Sequence, residues 1–373
     1  MSIQGAARSG PARPGRRLGR ARLAGAVAAL TLLAAGCTGA APARSSPGST
    51  AAAAPAVPPP AQTAATLQQT YVRVIHQVLP SVVEIRTDSG LGSGVAYDAA
   101  GDIVTNAHVV AGATSFQVQL ANSTTALPAR LVGTYAPDDL AVVRVSGAKG
   151  LRPATFADSS RLQVGDLVLA MGNPLGLASS VTDGIVSAVG RTVSEPQGGD
   201  SPGATLPDAI QTSAAINPGN SGGALVDLAG QVVGIPTLAA VDQQMGGGAA
   251  PGIGFAIPAN IVRSIADQLV RDGRVSNSHR AALGVRVATV AGPDGQPAGI
   301  GIVQVARGGP ADKAGLKAGD VITAVNGTAT PDTETLSTVL AGLQPGQTVT
   351  VQVNRAGGGS ASVRVTLGQL TAG

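Results

Sequence analysis

The stretch Asn217-Pro218-Gly219-Asn220-Ser221-Gly222-Gly223 decides how the rest of the chain is interpreted. It places one serine among three glycines, with apolar residues on both sides at 214–216 and 224–226. Glycine tolerates backbone conformations that other residues resist, and it lets a substrate come close to main-chain N–H groups. The serine hydroxyl is therefore a candidate nucleophile, beside N–H groups suited to a developing negative charge. The alternative for so short a motif is a glycine-rich turn with a solvated serine.

The composition favours a β-rich protein. Of 373 residues, 44% are hydrophobic but only 2% are aromatic, and tryptophan is absent. Cores must then be built from Val, Leu, Ile and Ala, which suits strands of small β-branched residues. With 52 glycines and 25 prolines the chain is also rich in turns, and its length allows two or three domains.

The N-terminal segment, residues 1–36, is typical of a secretory signal peptide. Six arginines precede the apolar run 23–36, and no acidic residue occurs before Glu84. A basic region followed by a short apolar region describes such a signal, and this run is too short to span a bilayer comfortably. Without the six arginines the formal charge falls from +4 to −2. The basic character therefore belongs to the export signal, and no nucleic-acid partner is expected.

The single cysteine, Cys37, follows the apolar run as Ala34-Ala35-Gly36-Cys37. The segment resembles the bacterial lipobox, in which the cysteine carries the lipid, although Ala34 replaces the usual leucine. We therefore expect lipidation of Cys37 and membrane attachment, with cleavage within 40–43 and free secretion as the alternative. Residues 37–66 are rich in Ala, Pro, Ser and Thr and predict a disordered tether.

Short apolar strands separated by turn residues fill residues 81–145 and predict a closed antiparallel barrel. Two polar residues interrupt them: His108 at the end of one strand and Asp139 at the start of another. Each alone has a simpler interpretation, as a structural histidine and a turn-forming aspartate. A serine nucleophile, however, needs an imidazole to take its proton and a carboxylate to orient that imidazole. His76 lies in an amphipathic segment and His279 in a polar linker, which leaves His108 as the candidate base.

Three motifs, T-N-A-H-V-V, D-L-A-V-V and G-N-S-G-G, occur in this order and resemble those of the HtrA/Deg family of trypsin-like serine proteases. The resemblance implies a mainly β protease domain over residues 67–272, with two six-stranded antiparallel β-barrels and the active site between them. It implies His108 as general base, Asp139 as the acid that orients it and Ser221 as nucleophile, in the chymotrypsin-type order. Asp138 is not chosen, since the family motif places its acid directly before Leu-Ala-Val.

The same resemblance assigns the groups that would bind the substrate. The oxyanion hole is expected to be formed by Gly219, Asn220 and Ser221. The substrate pocket is expected to be formed by Ala215, Ile216, Ile235 and Thr237. Because no carboxylate stands at Ala215, where trypsin-like enzymes that cut after Lys or Arg have one, a small-to-medium aliphatic side chain is the expected preference.

Three further features concern the second barrel and the end of the protease domain. Pro236 lies on the strand expected to pair with the substrate backbone, and proline has no N–H to donate. Residues 191–206 are rich in Gly, Pro and Ser and predict a long loop, which the resemblance identifies as regulatory. Helical spacing of apolar residues over 258–272 predicts a closing helix for the protease domain.

The C-terminal residues 282–370 resemble a PDZ domain, a small α+β fold, reached through a linker at 273–281. The segment G-D-V-I-T-A-V-N-G at 319–327 carries most of this resemblance. A PDZ groove takes an extended C-terminal peptide as an added strand and holds its carboxylate on backbone N–H groups. By resemblance those N–H groups belong to Leu283, Gly284 and Val285. The alternative is a spacer domain whose groove is unused.

These features predict an exported, ATP-independent serine endopeptidase that hydrolyses unfolded or misfolded proteins, with a PDZ domain that recruits C-terminal peptides or regulates activity. Neither a metal nor an organic cofactor is implied. The main alternative is a non-catalytic chaperone or peptide-binding scaffold with a resting triad. An α/β-hydrolase would need a histidine after the serine, which only His279 provides. Family members form homotrimers through aromatic residues near the start of the protease domain, where Tyr71 matches but Arg73 departs.

Overall fold

The computed structural model describes residues 60–121, 123–147, 150–173, 180–195, 204–217, 219–242, 248–293 and 295–371. The expected signal peptide, the lipidation site Cys37 and the tether up to residue 59 lie outside these ranges. None of the helices within these ranges has both the length and the apolar character that a bilayer span requires.

A helix, α1, spans Pro60–Val78 and precedes the first barrel. The tether expected to reach residue 66 is therefore wrong from Pro60 onward. Proline suits the first turn of a helix, and the Ala, Gln and Leu residues that follow have high helix propensity. Val74 and Val78 are buried against the core of the barrels, and this packing stabilises a helix that propensity alone would leave marginal.

Six antiparallel strands close the first barrel in the order β1-β2-β3-β6-β5-β4. They are β1 Val82–Thr87, β2 Leu91–Ala96, β3 Asp102–Thr105, β4 Phe116–Leu120, β5 Ala126–Tyr135 and β6 Leu140–Val145. Ile85, Ile103 and Val143 fill its core and expose no surface. The core is thus built from β-branched side chains, as the composition predicted.

The second barrel closes in the order β10-β11-β12-β9-β8-β7. Its strands are β7 Leu167–Gly172, β8 Ser180–Glu195, β9 Ala204–Thr212, β10 Ala224–Asp227, β11 Val232–Asp242 and β12 Gly248–Pro258. Val186, Leu225 and Ala256 are fully buried in its core. The prediction of two six-stranded antiparallel barrels is confirmed.

The loop predicted at 191–206 is shorter than expected. Residues 191–195 continue β8 and residues 204–206 begin β9, and Val193 pairs with Leu206 in the ladder between them. Leu206 is buried, and its packing stabilises the strand pairing within a segment whose glycine-rich composition predicts a loop. The remaining residues of the predicted loop, 196–203, lie outside the described ranges.

The closing helix α3 spans Ala259–Asp272 and packs against both barrels, as predicted. Val262, Ile265 and Leu269 form its buried face. The helix ends at Gly273, whose φ of 68° places it in the left-handed region and whose N–H donates to the Leu269 carbonyl.

The PDZ domain is a small α+β unit, as predicted. Its strands β14-β15-β16-β18-β19 form one sheet in that order, with β17 paired to β16, while β13 pairs with β20. The elements are β13 Ala281–Ala282, β14 Val285–Ala291, β15 Pro297–Val305, α4 Pro310–Lys313, β16 Val321–Val325, β17 Thr328–Ala329, α5 Thr333–Ala341, β18 Thr348–Asn354, β19 Ser360–Thr366 and β20 Gly368–Gln369. Ile300, Ile322 and Val351 lie at the centre of its core.

Hydrogen bonds connect the PDZ end of the chain to the first barrel. The carbonyl of Leu370, just after β20, accepts from Tyr135 Oη at 3.0 Å and from Ser278 Oγ at 2.6 Å. Arg280, in the linker, donates to Asp138 Oδ1 at 2.6 Å. Asp138 closes a short 3-10 turn, Ala136–Asp138, immediately before β6. The linker and the C-terminal segment are therefore bonded to the turn that leads into Asp139.

Candidate active site

Asp139 occupies a constrained position between the 3-10 turn and β6. Its φ of 50° lies in the left-handed region, which aspartate tolerates better than most residues. The carboxylate is 1% exposed. Its Oδ1 accepts from the backbone N–H of His108 at 2.9 Å, and its Oδ2 lies 2.8 Å from His108 Nδ1. A buried carboxylate held this way can orient the imidazole and stabilise its cation.

His108 lies in a helical turn, α2 Ala107–Val110, and not at the end of a strand as expected. The turn follows β3 directly, and two bonds to the Asp139 carbonyl hold it: Asn106 Nδ2 at 3.0 Å and Ala107 N at 3.1 Å. In the neutral ring with Nδ1–H facing a carboxylate, Nε2 carries the lone pair that a general base uses. The ring is 24% exposed, so a substrate can reach it.

Asp138, the alternative acid, faces away from the imidazole and pairs with Arg280. The two side chains are 2% and 10% exposed. Burial raises the pKa of Asp138 to about 6, against the opposing effect of the Arg280 guanidinium. The structure therefore places Asp139, and not its neighbour, against His108.

Thr237 links the acid to the serine. Its hydroxyl donates to Asp139 Oδ2 at 2.5 Å, and its carbonyl accepts from Ser221 Oγ at 3.2 Å. The resemblance assigns Thr237 to the substrate pocket, but its side chain is buried and donates a hydrogen bond to the Asp139 carboxylate instead. Thr237 thus connects the Asp139 carboxylate, which also faces His108 Nδ1, to the hydroxyl of Ser221.

The loop around the serine leaves two N–H groups for a ligand. Asn220 N donates to the Asn217 carbonyl at 3.0 Å, so the expectation that Asn220 contributes to an oxyanion hole is wrong in this structure. Gly219 N and Ser221 N have no acceptor among the described residues. Backbone N–H groups without an acceptor are the kind of donors that an oxyanion needs.

The two glycines after the serine leave room for close approach of the backbone, Gly222 to the first barrel and Gly223 to β7 of the second. A Cβ on Gly222, whose φ is 79°, would lie 2.3 Å from the Ser93 carbonyl oxygen and 2.5 Å from Thr105 Oγ1. A Cβ on Gly223 would lie 2.2 Å from the Met171 carbonyl oxygen. The second and third glycines of the motif are therefore required by packing, beyond any freedom that the turn itself needs.

Ser93 is a site residue that the motifs did not identify. It is fully buried in β2, and its hydroxyl donates to the Gly219 carbonyl at 2.5 Å. Its main-chain N–H donates to the Ser221 carbonyl at 3.1 Å. The available signal was a polar residue inside an otherwise apolar strand, flanked by Gly92 and Gly94.

The expected pocket residues do not all reach the surface. Ala215 is exposed, and its carbonyl accepts from Thr182 Oγ1 at 2.8 Å and Asn220 Nδ2 at 3.2 Å. Ile216 is 7% exposed and packs against Gly254. Ile235 exposes no surface and belongs to the main core, so its assignment to the pocket is wrong. Pro236, which has no N–H to donate to a substrate, is paired in β11, and its carbonyl accepts from Gly222 N at 3.0 Å.

The PDZ domain has a groove of 420 Å³ between β14 and α5. The residues expected to hold a carboxylate, Leu283, Gly284 and Val285, are among those that line it. Leu336 and Leu340 of α5 line its apolar wall. Because β14 is an edge strand of its sheet, its outer N–H and C=O groups face this groove, as strand addition requires.

Comparisons with known proteins agree with this architecture. A family model of a trypsin-like peptidase domain matches residues 92–235, and a PDZ domain model matches residues 281–367. The serine protease Do-like HtrA of Lactobacillus helveticus is 43% identical over 282 residues, which cover 71% of this chain and 66% of that protein. The probable periplasmic serine endoprotease DegP-like of Rhizobium meliloti is 40% identical over 285 residues, which cover 75% of this chain and 53% of that protein.

A solved structure covers the same two domains. That of the HtrA-type protease AlgW with a decapeptide matches with a TM-score of 0.54 and 32% identity, over 81% of this chain and 99% of that chain. The chain therefore spans two thirds or less of the two curated relatives, but nearly the whole of this structural relative.

Proposed function

The chain belongs to the HtrA family of trypsin-like serine proteases, and on this premise we propose that it is an exported endopeptidase that cuts unfolded or misfolded polypeptides. His108, Asp139 and Ser221 are its catalytic residues. One observation carries the proposal. Asp139 Oδ2 accepts from both His108 Nδ1 and Thr237 Oγ1, while Ser221 Oγ donates to the carbonyl of the same threonine.

In the proposed reaction Ser221 Oγ attacks the carbonyl carbon of the scissile peptide, and His108 Nε2 takes the hydroxyl proton. The carbonyl oxygen becomes negative and accepts hydrogen bonds from Gly219 N and Ser221 N. Breakdown of this intermediate cleaves the C–N bond, His108 returns the proton to the leaving amine, and an acyl group remains on Ser221. Water then attacks the acyl group by the same proton transfers, which releases the second product and restores the hydroxyl.

The side chain before the scissile bond is proposed to be a small-to-medium aliphatic one. Ala215 and Ile216 present an alanine carbonyl and an isoleucine that is nearly buried, and neither offers a carboxylate to a basic side chain. A charged side chain placed there would lose its hydration without gaining a partner.

The proposal is tested with one disulfide-bonded substrate protein, offered to the enzyme in two states. One is native, and the other is unfolded by reduction with its thiols blocked. Wild-type enzyme is expected to cut the unfolded form much faster than the native form, with cleavage after Ala, Val or similar residues when the fragments are weighed. Ser221→Ala is expected to cut neither. Equal cleavage by Ser221→Ala would contradict the proposal, and a wild type that suppresses aggregation of the unfolded form without cutting it would support a scaffold.

The PDZ groove is proposed to bind C-terminal peptides, for recruitment or regulation. An apolar peptide with a free C-terminal carboxylate is expected to bind at least tenfold more tightly than its amide, because the amide lacks the charge that backbone N–H groups would hold. Fluorescence anisotropy of the two peptides measures this ratio. Equal affinities would indicate that Leu283, Gly284 and Val285 do not bind a carboxylate.

Export is proposed from the basic and apolar N-terminal segment, together with the periplasmic description of the Rhizobium meliloti relative. Anchoring through a lipid on Cys37 and assembly as a homotrimer remain proposals from the sequence. Incorporation of a labelled fatty acid into wild type but not Cys37→Ser tests the anchor. Light scattering of the purified protein tests the trimer.

A further inference from the structure

Ser93 lies in β2 of the first barrel, and its main chain already joins the active site. Its N–H donates to the Ser221 carbonyl at 3.1 Å, and its carbonyl accepts from Thr105 Oγ1 at 2.6 Å. Any residue with a backbone N–H could make these two bonds. They therefore do not explain why a polar side chain stands at this fully buried position between Gly92 and Gly94.

The hydroxyl of Ser93 uses both of its hydrogen-bonding roles. It accepts from the N–H of Asn173 at 2.8 Å and donates to the carbonyl of Gly219 at 2.5 Å. A hydroxyl has one proton to donate and lone pairs that accept. Because the Asn173 N–H donates to a lone pair, the single proton of Ser93 is free to point at the Gly219 carbonyl. From the first barrel, the side chain thus connects the residue after β7 to the loop that carries Ser221, residues 219–223, here called the nucleophile loop.

The carbonyl that Ser93 holds belongs to a peptide with little intrinsic restraint. Gly219 has a φ of 107°, in the region that favours glycine, and without a Cβ its flanking peptides rotate against little steric resistance. Gly172 leaves room for this carbonyl, since a Cβ there would lie 2.4 Å from its oxygen. Within the described residues, the Gly219 carbonyl oxygen accepts its hydrogen bond from Ser93 Oγ.

The other end of the same peptide is also bonded, because Asn220 N donates to the Asn217 carbonyl at 3.0 Å. The peptide between Gly219 and Asn220 is therefore fixed at its C=O by the first barrel and at its N–H by its own loop. The N–H groups of Gly219 and Ser221 belong to the two peptides that flank this one. Each is joined to it through only one residue, so fixing the central peptide restricts the orientations that both N–H groups can take.

We propose that Ser93 is a positioning residue for the oxyanion hole: its hydroxyl fixes the peptide after Gly219 and thereby aims the N–H groups of Gly219 and Ser221 at the substrate carbonyl. Ser93 does not touch the substrate and acts through Gly219. This inference rests on the proposed protease function. It predicts that the hydroxyl matters for the rate of the chemical step more than for substrate binding.

The test compares wild type and Ser93→Ala on a short peptide substrate. We expect kcat to fall about 10- to 100-fold with KM changed less than about threefold, because misdirected oxyanion donors weaken the transition state more than the bound ground state. Ser93→Cys, which keeps a weak donor on a side chain of similar size, is expected to give an intermediate kcat. It also replaces Ser93→Ala as the test if that variant does not fold.

Ser278→Ala is the matched control. Its hydroxyl likewise donates to a carbonyl, that of Leu370, and accepts a backbone N–H, that of Arg280 at 3.2 Å, but it lies in the linker. We expect Ser278→Ala to lower the melting temperature about as much as Ser93→Ala does, with kcat on the short peptide unchanged. Equal kcat values for Ser93→Ala and wild type would overturn the inference.

A crystal structure of Ser93→Ala separates this inference from the proposed function, because it needs no activity. We expect the peptide after Gly219 to be rotated, with its carbonyl turned away from the first barrel. An unchanged peptide would overturn the inference even if the protein is a protease. A wild type that neither cuts peptides nor reacts with a serine-directed phosphonate would refute the proposed function. The crystal structure of Ser93→Ala would still show whether the peptide after Gly219 rotates.

Discussion

Asp139 shows at the scale of one residue how the site is held. It accepts hydrogen bonds at both carboxylate oxygens and at its main-chain carbonyl, and four of the five donors come from residues 106–108. The fifth donor is Thr237, which belongs to the other barrel. The carboxylate therefore fixes the imidazole and at the same time connects the two halves of the protease domain.

Asp139→Asn is expected to lower kcat about 10³- to 10⁴-fold, with stability nearly preserved. An amide has one oxygen where the carboxylate has two, so it cannot accept from His108 N and also from His108 Nδ1 and Thr237 Oγ1. An amide NH₂ facing Nδ1 would favour the wrong tautomer of the imidazole. Steady-state kinetics on a short peptide measures the loss. A reduction of less than tenfold would exclude Asp139 as the orienting acid.

The pH dependence of activity is expected to depend on a single residue, His108. If His108 is the general base, kcat/KM falls on the acid side as the ring takes up a proton, since a protonated imidazole cannot accept another. An ordinary imidazole titrates near pH 6.5. A pH–rate profile of the wild type records this limb. A flat profile down to pH 5 would be incompatible with the proposed base.

At the scale of elements, the nucleophile loop depends on Gly222, whose missing side chain leaves room for the first barrel. Gly222→Ala is expected to destabilise the protein by about 3 kcal/mol, from a left-handed backbone together with overpacking against the Ser93 carbonyl. Gly112→Ala is the matched control: its φ of 68° is similar, but nothing lies within 4 Å of the added Cβ, so about 1 kcal/mol is expected. Urea unfolding of both variants gives the two values, and equal losses would show that packing against the first barrel is unimportant.

The sequence predicted the strands and the order of the three motifs because both are local patterns. The alternation of apolar residues and the punctuation by glycine and proline are visible in any short window, and so is the helical spacing of α3. The roles of Ser93 and Thr237 could not be predicted this way. Ser93 meets Gly219 at a separation of 126 residues, and Thr237 meets Asp139 at 98, so only the closed barrels bring them together.

The errors of the sequence interpretation have the same origin. The resemblance places Ile235 in the pocket, but its side chain is fully buried in the main core, together with residues of α1 and α3. Residues 60–66 are predicted as tether because they are rich in small residues, but they begin a helix whose buried residues, Val74 and Val78, lie further along it. In both cases the missing information was what the segment packs against.

At the scale of the whole molecule, the pair Asp138–Arg280 joins the linker to the turn before the catalytic aspartate. Burial raises the pKa of Asp138 from its ordinary 3.8 to about 6, with Arg280 opposing the shift. Because the folded pKa is the higher one, this group stabilises the fold most below about pH 4, and that contribution is lost as the pH rises through about 6.

Asp138→Asn removes this titration. We expect the free energy of unfolding of the wild type, relative to Asp138→Asn, to decrease by an amount on the order of 2 kcal/mol between pH 4 and pH 7. Arg280→Met leaves the carboxylate without its partner and is expected to make the decrease steeper. Urea unfolding across this pH range measures all three proteins. A difference that is constant with pH, or that grows with rising pH, would show that Asp138 does not titrate as described.

The central claim is that Ser221 is a nucleophile activated by His108 across the two barrels. The most direct measurement is the mass of the intact protein and of its peptides after reaction with a fluorophosphonate. We expect one phosphonyl group per wild-type chain, located on Ser221, with no label on Ser221→Ala and a rate at least 100-fold lower for His108→Ala. Equal labelling of wild type and Ser221→Ala, or a label on another residue, would contradict the account.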